Sequence, residues 1–222
     1  MREDLMMSKE RSRKKSEDLQ RGLPRLSWGD VPHSVAPYVP TPHNVVDTML
    51  TLAYAESDDV VYDLGCGDGR ILLAAVEDFG VKKAVGYDLN PKMCGRVRLK
   101  IDEKGLRDRI EVVNGNFFLA DLSGASVVTL YLTTSGNSKL RPKLEEELAP
   151  GSRVVSHDFP IHGWTTAKEE PPEHYVVGSH KIYVYFIPEA YEQKSSILRS
   201  KEEDGRWRRI RDLFVRERGE RP

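Results

Sequence analysis

Apolar residues in the middle of this chain fall into two alternating kinds of block. One kind recurs at helical spacing. Val45, Val46, Met49, Leu50 and Ala53 share one face of a helix predicted over 43–55, with Thr41 and Pro42 as its cap and first turn. The other kind is a short β-branched run such as Val60-Val61-Tyr62. Alternation continues as strand 59–63, helix 69–79, strand 84–88, helix 91–104, strand 110–113, strand 127–132, helix 137–148 and strand 153–157. Pro91 suits a helix start after Asn90, Gly105 suits its end, and Pro150-Gly151 stops the next helix before the fifth strand. Beyond Asp158 the pattern changes: His174–Val177 and His180–Ile187 read as two strands around a Gly178-Ser179 turn. The fold class is therefore α/β, a Rossmann-like doubly wound, mostly parallel sheet with a C-terminal antiparallel hairpin. Prolines at 32, 37, 40 and 42 hold the approach to the first helix extended.

The candidate chemistry sits at two strand ends. Residues 63–69 read DLGCGDG, and the second strand ends in Asp88-Leu89. Closely spaced glycines let the backbone turn tightly and approach a ligand, and a helix start offers free N–H groups. A dinucleotide loop wants G-x-G-x-x-G with a pyrophosphate at the helix end. Here the third glycine place is Arg70, to which no role is assigned, and Gly69 sits one place early. Asp63 before the loop would repel a pyrophosphate and suits a cation. S-adenosyl-L-methionine carries an ammonium and a sulfonium and no phosphate, and Asp88 lies where an acid accepts both ribose hydroxyls. NAD binding and a plain glycine-rich turn remain the alternatives.

These residues resemble the class I S-adenosylmethionine-dependent methyltransferases, whose first motif, D/E-x-G-x-G-x-G, DLGCGDG matches in full. The resemblance implies that Asp63, Gly65, Cys66, Gly67 and Gly69 hold the methionine part and Asp88 with Leu89 the ribose. It narrows at Tyr38-Val39-Pro40-Thr41, at Leu130-Tyr131-Leu132 and at Phe159-Pro160 with Trp164. Together these are similar to the small seven-stranded protein-lysine methyltransferases of archaea and mitochondria, and more distantly to the non-SET histone methyltransferase, over roughly residues 34–188. The resemblance implies that Tyr38, Val39, Pro40 and Thr41 cover the cofactor, that Asn116 and Phe117 hold the adenine, and that Phe159 and Trp164 wall a lysine channel. Tyr131, at a strand end where ligands bind, is the candidate catalytic residue. The Asn/Asp-Pro-Pro-Tyr/Phe segment of enzymes acting on planar nitrogens is absent from this position. His157 and Asp158 can take a proton or fix a substrate. An RNA or small-molecule methyltransferase on the same fold, or a non-catalytic cofactor-binding member, are the rival readings.

Charge divides the chain further. Residues 1–29 hold eight Lys or Arg against five Asp or Glu, and residues 194–222 hold ten against six, although the net charge of the whole is −1. A basic N-terminal arm (1–29) and a basic tail (191–222, with Trp207, Ile210, Leu213 and Phe214 at helical spacing) thus flank an acidic methyltransferase domain, 30–190. The favoured partner is a protein substrate, and the arms offer nucleic acid as an alternative. Two cysteines, Cys66 and Cys94, argue against a zinc site, so no metal is expected, and fit a reducing compartment. No apolar run is long enough to cross a membrane and no signal core opens the chain, so the expected location is the cytoplasm. The oligomeric state is not encoded in any of these features.

Overall fold

The computed structural model describes residues 38–168 and 170–192. Both basic arms fall outside this range, save for Tyr191 and Glu192, as do Pro32, Pro37 and the proposed tail helix. Five strands alternate with helices in chain order: α1 (His43–Leu52), β1 (Val60–Leu64), α2 (Arg70–Glu77), β2 (Lys83–Asp88), α3 (Pro91–Glu103), β3 (Ile110–Asn114), β4 (Val127–Leu130), α4 (Thr134–Glu147) and β5 (Arg153–His157). A hairpin of β6 (Tyr175–Val177) and β7 (His180–Phe186) completes the sheet. The seven strands lie in the order β3-β2-β1-β4-β5-β7-β6. β1 to β5 are parallel, and β7 runs antiparallel between β5 and β6. Strand order therefore reverses beside β1, which places the ligand crevice at the carboxyl ends of β1, β2 and β4.

The predicted elements stand, with instructive shifts at their ends. β4 is buried along its whole length and β1 at three of its five positions, as a two-sided sheet requires. Val45, Val46, Met49 and Leu50 of α1 are fully buried, each worth roughly 1.5–3 kcal/mol of burial. The expected Thr41 cap is not made: Pro42 takes the cap position without a side-chain bond, and the Thr41 hydroxyl turns to His157 instead. α4 begins three residues earlier than its apolar pattern suggests, because the Thr133 hydroxyl accepts from the Gly136 amide and nucleates a turn of small polar residues. Asn90 caps α3 through the amides of Lys92 and Met93, with Pro91 next, as read from sequence. Among the described residues no helix is long and apolar enough to cross a membrane.

The amino ends of the strands are closed by the chain itself. Asp59, just before β1, accepts from Arg153 Nη2 at 2.6 Å, from the Ser126 hydroxyl at 2.7 Å and from the Glu56 amide at 2.8 Å. Arg153 also donates to the Ala53 carbonyl, so this buried ion pair has its hydrogen-bonding groups occupied and acts as a structural lock.

Candidate active site

At the carboxyl end of β1 the chain enters the glycine loop. The amides of Gly65 and Cys66 both donate to the Tyr87 carbonyl at 2.9 Å, which pins the loop to β2. Gly67 has φ +52°, and a Cβ there would lie 2.7 Å from the Tyr38 ring, so only glycine lets that ring lie over the loop. Gly69 has φ +78°, and a Cβ there would meet Val97 of α3 at 2.5 Å. Cys66 is buried, and burial pushes its thiol well up, so it is inert as a nucleophile.

Two acids face the crevice from neighbouring strands. Asp88 Oδ2 accepts from the Gly67 amide at 2.9 Å and its Oδ1 from the Asn90 amide at 2.7 Å. Leu89 beside it is exposed. Asp63 is buried, and Thr129 Oγ1 donates to it across the β1–β4 register at 2.9 Å. Desolvation pushes the Asp63 carboxyl up to about 7; the Thr129 bond opposes this, and the Asp88 and Asp68 charges add to it. Among the described residues no lysine or arginine offsets that cost.

Arg70, which sequence reasoning left without a role, ties the covering segment to the loop. Its Nη1 donates to the Thr41 carbonyl at 2.6 Å, and its Nε and Nη2 reach Asp68 at 2.9 and 2.5 Å. Tyr38 lies against the same Asp68 and Arg70 pair, and burial first, then Asp68, raises its phenol. Tyr38 and Val39 are otherwise exposed, while Thr41 is buried. The missed signal was electrostatic: a cation in the first turn of α2 opposes the helix dipole and needs a reason to be there. Asn116 caps a 3-10 turn, its Oδ1 accepting from the Phe118 amide at 3.0 Å, and Phe117 is buried against Phe118.

A second cluster forms where β4 and β5 end and β7 begins. The Tyr131 ring lies 3.8 Å from the His157 ring and 6.4 Å from Phe159, centroid to centroid. Its hydroxyl donates to Asp158 Oδ2 at 3.3 Å. Asp158 also meets His180 Nδ1 at 3.1 Å and accepts from the Lys181 amide at 2.9 Å. His157 is fully buried, and desolvation pushes its ring down to about 4, with His180 adding and Asp158 opposing. The Trp164 ring packs on Tyr185 and Tyr191, and its Nε1 donates to Glu145 at 2.7 Å. Tyr185 pairs with Val154, deep in the sheet, so Trp164 braces the body of the domain instead of the strand ends. His180 was missed because only the hairpin brings it to β5.

With this geometry the chain was compared with known proteins. A family profile of the ANTKMT methyltransferase domain matches residues 63–168. A protein-lysine N-methyltransferase of Saccharolobus islandicus is 49% identical over 159 residues, covering 72% of this chain and 97% of that protein. The chain belongs to this methyltransferase family. An adenine nucleotide translocase lysine N-methyltransferase of Mus musculus is 33% identical over 68% of this chain and 63% of its own length. A crystal structure of an RNA methyltransferase from Salinibacter ruber in complex with S-adenosyl-L-homocysteine is 41% identical, with a TM-score of 0.64, covering 73% of this chain and 100% of that one.

As a methyltransferase of this family, the chain uses S-adenosylmethionine as methyl donor. The residues present fit that molecule. A buried acid without a cation partner suits an ammonium, and Arg70 stands where a dinucleotide loop has its third glycine.

Proposed function

We propose that this methyltransferase acts on the side-chain amine of lysine in a protein substrate. The observation that carries the reading is the acceptor cluster: an aromatic wall of Tyr131 and Phe159 with one phenol directed at a carboxylate, and no Asn/Asp-Pro-Pro segment to draw out the lone pair of a planar nitrogen. The Saccharolobus relative, named for lysine transfer, supports it.

Bound S-adenosylmethionine supplies an electrophilic methyl group on a sulfonium. Asp63 takes the amino-acid end of the donor, with the Gly65–Gly69 loop close against it. Asp88 accepts the ribose hydroxyls, and Asn116 and Phe117 border the adenine. Tyr38, Val39, Pro40 and Thr41, tied down by Arg70, cover the donor. On the acceptor side Tyr131 and Phe159 would border the lysine stem and help exclude water. A lysine amine is nucleophilic only when neutral, and deprotonating it at pH 7 costs about 4–5 kcal/mol from its ordinary pKa near 10.4. An apolar, aromatic channel lowers that cost by disfavouring the ammonium.

The test uses the full chain, isotope-labelled donor and a cell extract, followed by separate nuclease and protease digestion. Label is expected in methyllysine, released by protease alone. Label removed by nuclease alone sinks the lysine reading. It would favour transfer to RNA, the activity named for the Salinibacter structure and one that the basic arms suit. RNA transfer would also weaken steeply with added salt.

A further inference from the structure

The second cluster brings two imidazoles and a carboxylate within proton-sharing distance of one another. Three atoms form a triangle: His157 Nε2 is 2.9 Å from His180 Nδ1, His180 Nδ1 is 3.1 Å from Asp158 Oδ2, and His157 Nε2 is 3.3 Å from Asp158 Oδ2. Burial alone would raise the Asp158 carboxyl, but the Lys181 amide, the His180 ring and His157 together hold it low, so it is ionised and can only accept. Both contacts made by His180 Nδ1 are met when it carries a hydrogen directed at the carboxylate and at His157 Nε2, the arrangement used below. His157 keeps its proton on Nδ1 and donates it to Thr41 Oγ1, 3.2 Å away. With its hydrogen on Nδ1, His180 presents a lone pair at Nε2. That atom makes no hydrogen bond among the described residues, and the side chain is partly exposed. An imidazole with its Nδ1–H held by a buried-side carboxylate and its Nε2 free is a poised proton acceptor.

The backbone supports the same reading. Asp158 has φ +60°, an uncommon conformation for a residue with a side chain. Its amide donates to the Lys181 carbonyl at 2.7 Å and its Oδ1 accepts from the Lys181 amide. This turn leaves Oδ2 to Tyr131 and His180. Backbone strain of this sort, fixed by its neighbours, marks sites where geometry matters.

We propose that His180 is the base that removes the proton from the incoming lysine ammonium, with Asp158 and His157 as positioning residues. The inference rests on the lysine reading above. One ammonium N–H bond breaks and an Nε2–H bond forms on His180. The imidazolium is stabilised by Asp158, and the proton leaves to water from the exposed side of the ring. The neutral amine, held at Tyr131, keeps its electron pair for the methyl group. The titratable groups in contact with His180 are Asp158 and His157 at the end of β5, and Tyr131 shares Asp158 Oδ2 with it; Lys181 and Tyr183 of β7 fall on the opposite face of the sheet.

The test follows initial rates of methyllysine formation in the protein fraction of a nuclease-treated extract, from about pH 6 to about pH 10. His180→Gln is expected to lower the rate about 10²-fold at pH 7. The deficit should shrink to within about threefold near pH 10, where lysine loses its proton unaided. Added imidazole should restore part of the rate of His180→Ala at pH 7. Asp158→Asn should move the acid limb of the profile to lower pH, opposite in sign to His180→Gln. Calorimetry with S-adenosylhomocysteine checks that each variant still binds donor product. A loss of the same size at every pH, without imidazole rescue, overturns the proposal in favour of a structural role. Loss of wild-type activity with a chelator, restored by zinc, would overturn it too and make the three side chains a metal site. Methyllysine formed by His180→Gln with an unchanged profile defeats the base alone, whereas wild-type label entering nucleic acid defeats the lysine reading itself.

Discussion

Asp59 and Asp63 stand at opposite ends of β1, and each is 4% exposed. They are solvated by the protein in opposite ways. Asp59 meets a guanidinium, a hydroxyl and an amide of its own chain. Asp63 has the Thr129 hydroxyl and two neighbouring acids, and its carboxyl rises to about 7. Equal burial therefore says little about role. The amino edge of the sheet is closed by intramolecular partners, while the carboxyl edge carries an uncompensated acid that only a ligand can satisfy.

Four substitutions break or sharpen this contrast. Arg153→Ala leaves Asp59 buried without its cation and is expected to cost about 3–5 kcal/mol of stability, read by denaturant unfolding. The activity of the remaining folded protein should be unchanged. Loss of turnover out of proportion to folding would mean that the two edges are coupled. Asp63→Asn should do the reverse. Donor affinity should fall about 10- to 100-fold by calorimetry, the worth of a charge-assisted bond. Stability should respond with a definite sign. The folded-state carboxyl lies at about 7, above its ordinary 3.8. Its contribution is full below about pH 4 and is lost as pH rises to about 7. Donor-free Asp63→Asn should therefore melt roughly 5 °C above wild type at pH 7.5, and the gap should close towards pH 4. A lower melting temperature at pH 7.5 would show that Asp63 already has a cation partner.

Arg70→Ala removes the tie between α2 and the Thr41 carbonyl. We expect about three- to tenfold weaker donor binding, since the guanidinium is partly solvated, with little change in melting temperature. Unaltered affinity would show that the 38–42 segment needs no tether. Trp164→Phe, the mildest change, deletes the bond to Glu145. It should cost about 1 kcal/mol in stability and leave the rate of methyl transfer within twofold. A large rate effect would return Trp164 to the lysine channel.

What sequence made legible follows from distance along the chain. The glycine loop, Asp63 and Asp88 belong to one strand–loop–helix–strand unit, and their roles in holding the fold are set by backbone amides within it. Strand alternation and the Gly178-Ser179 hairpin carried the sheet. The acceptor cluster draws on residues 41, 131, 157, 158, 159 and 180 from distant parts of the chain, and His180 joins it only because β7 pairs with β5. His180 carried no local signature, and its meaning lies entirely in its neighbours. Thr41 looked like a helix cap because its spacing from α1 allows one, but a buried histidine competes for its hydroxyl. Trp164 was grouped with Phe159 by proximity in sequence, although the chain between them turns it onto Tyr185.

The ring of Tyr38 over Gly67 has a practical corollary. Gly67→Ala would drive a Cβ into that ring and lift the cover from the donor crevice while leaving both acids in place.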